Sequence, residues 1–361
     1  MAVTGEPTSP CCCFACPETQ RPLAVSAGQL ESIETGRVYP IQDGIPNFLQ
    51  YPPIEDEETV EKLQRLTDAC RERGWQEAIQ TEAADSMAYV ADESRARFLD
   101  LLPITKESRV LELGASVGQH TYLIAQLCAS VDALEIVPQQ ALFTSLRCFQ
   151  LGCSNVRVAC GGDDCRLPFS NEAFDVVVVN LVLEWCGARS PDKKSVDCQR
   201  RLVAECRRVL SSDGCLFLAT KNRFSLQRLA GMRDEHAYGV RFGNALPRWL
   251  LKGVLRLKGK RGPGGVLHSY GGLQRMLRNA GFGHIEPWWA IPDARYPRTY
   301  RRLDRSSIKQ VRQPGELTGR GTRYPRLLSR WCPAPVVPWF TRSLVFLAYK
   351  GNGASVHSTG N

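Results

Sequence analysis

Arg109-Val-Leu-Glu-Leu-Gly-Ala-Ser-Val-Gly-Gln-His-Thr-Tyr-Leu-Ile-Ala125 is the stretch on which the fold turns. Val110 to Leu113 is an apolar run of buried-strand length. Gly114-Ala115-Ser116-Val117-Gly118 follows as a turn of small residues. Leu123, Ile124 and Leu127 then recur at helical spacing. Strand, glycine turn and helix form the first unit of a doubly wound α/β sheet, in which a ligand lies against bare backbone where the helix starts. Gly114 allows the sharp turn, and Gly118 is expected to let the helix pack close to the strand.

The residues around the turn indicate which ligand it suits. A dinucleotide fingerprint places a third glycine where this chain has Gln119, and a pyrophosphate would not welcome Glu112 in the strand. An acid at that position suits a ligand carrying an ammonium group. Val131-Asp-Ala-Leu-Glu135 reads as a second strand ending in a carboxylate, placed to accept from ribose hydroxyls. Gly162-Asp-Asp-Cys-Arg-Leu-Pro-Phe169 leads into a further strand, Phe174-Asp-Val-Val-Val-Val-Asn180. Asn180 ends that strand at the carboxyl edge, where ligands of such sheets lie.

Taken together, Glu-x-Gly-x-x-x-Gly, the acid ending the second strand, Gly-Asp-x-x-x-Leu-Pro-Phe and Phe-Asp-Val-Val-x-x-Asn resemble class I S-adenosylmethionine-dependent methyltransferases of the ubiquinone/menaquinone type. Leu202-Val-Ala-Glu-Cys-Arg-Arg-Val-Leu210 and Asp213-Gly-Cys-Leu-Phe-Leu-Ala219 are similar to the helix and fifth strand of that family, so the resemblance covers about residues 108–220. It implies a Rossmann-like, seven-stranded, mostly parallel sheet with helices on both faces. It also implies S-adenosyl-L-methionine as cofactor, held by Glu112, Gly114, Ala115, Ser116, Gly118, Glu135, Asp163, Asp164 and Asn180. Asp163 would meet the adenine amino group and the main chain of Asp164 the ring; ordinary turn chemistry is the other reading of these two acids. The family has glycine where this chain has Ser116.

Four segments are expected: a small β module over 1–52, a linker with helices over 53–104, the catalytic domain over 105–350, and a tail over 351–361. The domain would carry insertions at about 232–266 and 291–342. Gly36-Arg-Val-Tyr-Pro-Ile-Gln-Asp-Gly-Ile-Pro46 resembles the zinc-ribbon domain preceding the catalytic domain of some bacterial rRNA guanine methyltransferases. Cys13 and Cys16 match that family's first cysteine pair, but Ser32 and Thr35 stand at the second, and hydroxyls are poor zinc ligands. One reading rebuilds a zinc site with Cys11 or Cys12. The other, adopted here, is a module that kept its shape without a metal. The linker is expected to hold helices over Glu58–Gln80 and Ser86–Leu102, with Trp75 and Tyr89 facing either ligand or core.

Charge is distributed unevenly. Residues 1–220 hold 20 Lys and Arg against 31 Asp and Glu, whereas residues 221–361 hold 26 against 6. The basic part therefore bears on an acceptor or partner rather than on the cofactor. Arg248, Lys252 and Arg256 lie four apart on one helix face, with Trp249, Leu250, Val254 and Leu257 on another. Such a helix can pack as a lid or rest on anionic lipid. No apolar run approaches the roughly 18 residues that span a bilayer. No secretory signal is legible, so a cytoplasmic location is expected. The 15 scattered cysteines then read as small buried hydrophobes.

Methyl transfer is an in-line displacement at an activated sulfonium, so positioning dominates and a base is needed only for some nucleophiles. His236, Glu184, His120 and His268 are the candidate bases. Glu184 and Trp185 either line the acceptor pocket or begin the next helix. The expected acceptor is a small anionic molecule, sugar- or lipid-linked; RNA, peripheral membrane contact and a non-catalytic binding module are the alternatives.

Overall fold

Short apolar runs become strands in this chain wherever both of their faces are buried, and helices fill the intervals between them. The computed structural model describes residues 14–26, 28–52, 55–187, 195–260, 264–311, 313 and 323–351. Cys11, Cys12, Cys13 and the tail beyond Gly351 lie outside them. The described residues fall into two compact units, one drawn from 1–91, 105–175 and 208–211, the other from 92–104, 176–207 and 212–361. The architecture is α/β and Rossmann-like, with a mostly parallel sheet and flanking helices.

The first unit begins with a small antiparallel sheet in the order β1 (Ala24–Ser26), β2 (Gln29–Glu31), β3 (Val38–Gln42), β4 (Ile45–Pro46). Its exit strand is tied down: Asn47 bridges Cys160 in parallel, and the Phe48 amide donates to the Cys160 carbonyl at 2.7 Å. A Cβ on Gly161 would lie 2.9 Å from that of Phe48, so glycine is required there by close approach.

Helices α1 (Glu57–Arg73) and α2 (Trp75–Glu82) replace the single expected helix. Gly74, at φ +96°, breaks the run, because only glycine adopts that conformation without strain. Their apolar faces and that of α3 (Ala84–Val90) bury Leu66, Cys70, Ile79 and Val90 together with Phe143. Tyr89 packs against this core. Trp75 belongs to it as well: the guanidinium of the buried Arg147 lies 4.0 Å from its ring centre and donates to the carbonyls of Val117 and Val90. The second expected helix also divides. After α3, the Asp92 side chain accepts from the Ser94 amide and starts a separate 3-10 segment, Glu93–Leu101.

The sheet of this unit is a parallel ladder of β5 (Arg109–Leu113), β6 (Ser130–Glu135) and β7 (Val156–Cys160), with Leu113 opposite Leu134 and Glu135 opposite Cys160. Helices α4 (Thr121–Ala125) and α5 (Pro138–Gln150) connect them. Near-continuous apolar sequence in these strands follows from burial on both faces.

The boundary between the units falls within β8 (Phe174–Asn180), which α6 (Ser195–Val209) follows, and near the start of β9 (Leu210–Lys221). The second unit continues with α7 (Leu226–Leu229), the two-residue strands β10 (Arg233–Asp234) and β11 (Val240–Arg241), α8 (Arg248–Leu257) and α9 (Tyr270–Asn279). Then come β12 (His284–Ile291), β13 (Thr299–Arg302), α10 (Arg305–Val311), α11 (Arg323–Trp331), α12 (Val337–Phe340) and β14 (Ser343–Tyr349). β14 lies antiparallel between β9 and β12. β13 is a strand beyond the seven expected, pairing with the other edge of β12. Residues of the second insertion fold around Trp289, Ile291, Ile308, Leu328 and Val337.

α8 buries Leu251 and Leu255 against Ala237, Val240 and Leu246. Its opposite face leaves Trp249 75% and Leu257 91% exposed. A helix serving only as a lid would bury its apolar residues. This one covers its unit with two leucines and turns a second apolar stripe outward.

Candidate functional site

The turn after β5 places Gly114, Ser116 and Gly118 at φ +75°, +52° and +70°. Serine in this left-handed region costs about 1–2 kcal/mol relative to the ordinary conformation. The Ser116 peptide groups are held from two sides. Its amide donates to Glu135 Oε2 at 2.7 Å, and its carbonyl accepts from Thr144 Oγ1 at 2.7 Å. The local bonds that fix the turn explain how serine is accommodated where the related family has glycine. Gly118 serves a different contact from the expected one: a Cβ there would lie 3.1 Å from Thr144 Cγ2 and 3.3 Å from Thr144 Cα, so the glycine lets α5 approach.

Glu135 ends β6 with its carboxylate on this turn. Oε1 accepts from the amides of Ile136 and Val137 at 2.8 and 3.1 Å. Ala115, between the glycine and the serine, is buried. Glu112 is buried too; Oε2 accepts from Thr121 Oγ1 at 2.6 Å, and Oε1 lies 3.8 Å from His120 Nδ1. Burial pushes the Glu112 carboxyl up to about 7, the Thr121 bond opposes this, and the nearby Glu135 adds to it.

Asp163 follows Gly161 and Gly162 and is almost fully buried. Its Oδ2 accepts from the amides of Gln50 and Tyr51 at 3.0 and 2.8 Å, and Oδ1 stands 3.1 Å from the Gln50 amide. Burial moves this carboxyl above its ordinary range against the lowering effect of those two amides. Gln50 and Tyr51 were not legible as site residues, since no local pattern announces a contact across more than a hundred positions. Asp164 has a smaller circle: Oδ1 accepts from the Arg166 amide at 2.9 Å, and the Arg166 guanidinium lies 3.6 Å from Oδ2. Its side chain performs turn chemistry, leaving the main chain as the part that could meet a ligand.

In the small sheet, Cys16 Sγ lies 3.3 Å from the Tyr39 hydroxyl. Burial alone would push this thiol up, but hydrogen bonds from Tyr39, the Thr19 and Glu18 amides and Ser32 bring it down to about 7. Ser32 is buried and Thr35 exposed. Among the described residues, no group of three or more His, Cys, Asp or Glu could hold a metal ion.

In the second unit, Asn180 closes β8, and its Oδ1 is buried with no hydrogen-bond partner among the described residues. Glu184 and Trp185 lie in a 3-10 turn, Leu183–Trp185. Glu184 is buried; Oε2 accepts from Thr220 Oγ1 at 2.7 Å, and no hydrogen bond from the described residues reaches Oε1. His236 is also fully buried, its ring 4.4 Å from that of Trp185 and its Nε2 3.4 Å from Glu235 Oε1. A Cβ on Gly265 would lie 2.6 Å from His236 Nδ1 and 2.8 Å from the Glu184 carbonyl, so Gly265 lies tightly against both. His268 is occupied structurally. Its Nε2 lies 2.7 Å from Gln199 Oε1, whose amide nitrogen donates to the carbonyls of Leu183 and Val266. Burial, with Arg248, Arg223 and Arg200 nearby, lowers its pKa to about 4. The structure thus groups Glu184, Trp185 and His236 in one unit, and Glu112, His120, the turn and Glu135 in the other.

Residues 111–218 match a family model described as a methyltransferase domain. Over 122 residues the chain is 25% identical to the malonyl-[acyl-carrier protein] O-methyltransferase of Methylococcus capsulatus, covering 34% of this chain and 40% of that protein. The Herminiimonas arsenicoxydans enzyme of the same description is 30% identical over 158 residues, 42% of this chain and 53% of its own. The chain thus spans about half the length of these curated relatives. A solved S-adenosylmethionine-dependent methyltransferase from Thermotoga maritima is 16% identical, covers 75% of this chain and 96% of its own, and superposes with a TM-score of 0.44. Residues 111–218 thus carry the match to a methyltransferase domain, and the α/β, Rossmann-like fold of the described residues agrees with it. Within the matched stretch, serine stands at the middle of the turn after β5, and the acid after β7 accepts from the peptide that leaves the small β sheet.

Proposed function

We propose that the protein transfers a methyl group from S-adenosylmethionine to a small anionic acceptor. The observation that carries this reading is the Gly114–Gly118 turn, with its central amide fixed by the carboxylate that ends β6. The residues present fit the cofactor. A turn nearly without side chains, its central amide held by Glu135, supports close approach. Gly114, Ala115, Ser116 and Gly118 would offer backbone, and Glu112 would face the ammonium. Glu135 would meet the ribose and Asp163 the adenine amino group, with the main chain of Asp164 beside the ring.

The bound cofactor supplies an already activated methyl. The chain's task is to hold the acceptor in line with it and exclude water, which can contribute roughly 7–11 kcal/mol when alignment is good. Glu184 Oε1, buried and without a hydrogen bond from the described residues, is the oxygen best placed by its surroundings to take a proton from a hydroxyl or amine nucleophile. His236 and His120 are the other candidates, and both are buried. The excess of Lys and Arg after residue 220 supports an anionic acceptor. The outward stripe of α8 is formed by Trp249 and Leu257 with Lys252, Arg256 and Lys258 beside it, and it supports contact with an anionic lipid surface. No described helix is long and apolar enough to cross a membrane.

Calorimetric titration with S-adenosylhomocysteine tests the proposal. Saturable 1:1 binding that is lost in Glu135→Ala is the expected result. An absence of binding by the folded protein would favour the non-catalytic alternative.

A further inference from the structure

The second unit contains a cavity of about 320 Å³ that the cofactor residues do not explain. It is at the lower end of the range of ligand pockets, roughly 300–1,000 Å³. Lys221, the last residue of β9, and Leu181, the first beyond β8, both line it. The cavity therefore lies at the carboxyl edge of two strands, the side of such sheets where ligands are taken.

Its lining is strongly one-sided in charge. Arg228 on α7, Arg233 on β10, Arg295 after β12 and Arg342 before β14 join Lys221 around the space. Only two carboxylates accompany these five cations in the lining. Glu235 pairs with Lys221, and Asp293 lies 3.6 Å from Arg342 Nη1. The cations come from separate elements, so their convergence is a tertiary feature and no solvated stripe of one helix. Two are held firmly. Arg228 is 5% exposed, and the Arg342 guanidinium lies 4.8 Å from the Tyr324 ring centre. Arg342 Nε is buried with no hydrogen-bond partner among the described residues. Cationic side chains drawn from five elements to one concave surface favour an anionic ligand there. Arginine forks with a lysine point charge match the oxygens of a phosphate.

We propose that this cavity binds the phosphate group of the methyl acceptor, which is then a phosphate monoester. The methyl-transfer part rests on the function proposed above; phosphate binding does not. The ester could be a soluble metabolite or the headgroup of a lipid, and the same residues would hold either.

Calorimetry on the full chain in a phosphate-free buffer separates the possibilities, with inorganic phosphate, glycerol 3-phosphate and vesicles containing phosphatidic acid as probes. Glycerol 3-phosphate should bind, with inorganic phosphate competing. Arg342→Ala and Lys221→Met should each weaken it by about ten-fold or more, while Arg342→Lys retains part of the affinity. S-adenosylhomocysteine binding should be unchanged in these variants, which also shows that they fold. Tighter binding to the vesicles than to glycerol 3-phosphate, again lost in Arg342→Ala, assigns the lipid source; the reverse order assigns the soluble one. Failure of every phosphate probe to bind, or equal binding by wild type and both charge-removing variants, overturns the cavity assignment. Phosphate binding without S-adenosylhomocysteine binding would leave the cavity standing and remove the methyltransferase reading.

Discussion

Glu135 and Asp163 in the first unit and Glu184 in the second are satisfied in different ways. In the first, Glu135 and Asp163 receive peptide N–H groups from Ser116, Ile136, Val137, Gln50 and Tyr51. In the second, Glu184 has one side-chain donor and an oxygen without any among the described residues, while Glu235 and Asp293 face cations lining a cavity. Peptide donors belong to the fold and are in place before any ligand arrives. Side-chain pairs and unsatisfied atoms can be rearranged by one. Glu135 and Asp163 are thus fixed by the backbone, whereas the surroundings of Glu184, Glu235 and Asp293 can change.

Breaking the peptide-held side should have the largest effect. Asp163→Ala leaves the Gln50 and Tyr51 amides without their acceptor and should cost about 2–4 kcal/mol in denaturant unfolding, with S-adenosylhomocysteine binding lost. Asp163→Asn keeps one acceptor oxygen and should fall between.

Glu112 gives a pH-dependent test. Its pKa in the fold is about 7, above the ordinary 4.5, so the folded state keeps the proton longer than the unfolded chain. Its contribution is therefore fully present below about 4.5 and is lost as pH rises to about 7, a decline of about 3 kcal/mol. Glu112→Gln should flatten that part of the stability–pH curve. If the curves of the two proteins run parallel from pH 4.5 to 8, the carboxyl does not titrate as described.

On the other side, Thr220→Val removes the only hydrogen bond to the Glu184 carboxylate found among the described residues and should destabilise by about 1–3 kcal/mol. Glu184→Gln should leave stability nearly unchanged and lower turnover if that carboxylate accepts a proton. The smallest effect is expected at the turn. Ser116→Gly relieves a left-handed serine but frees the unfolded chain, so thermal unfolding should show a gain of about 1 kcal/mol or less.

How much of this was legible depends on the distance over which each feature is set. β5, the glycine turn, β6 and β8 were readable because strand length and turn chemistry are written in adjacent residues. Gly74 breaks the helix expected over Glu58–Gln80, and helical spacing on both sides of it concealed the stop. The strand Thr299–Arg302 was hidden by its surroundings of Arg, Pro and Tyr, since it is made by pairing with β12 rather than by its own apolar pattern. Glu112 and Glu135 were placed correctly at strand ends, but their hydrogen bonds to Thr121 and the turn were not foreseeable. The meeting of Lys221, Arg228 and Arg342 was beyond reach, because charge counts show an excess without showing where it converges.

The hydrogen bonds from Gln50 and Tyr51 change the standing of the small sheet that precedes them. A shortened protein beginning at α1 would lack both donors to Asp163. Its departing peptide is therefore a structural partner of the segment after β7, and trimming it to obtain a tidier core should yield a less stable protein, as denaturant unfolding would show.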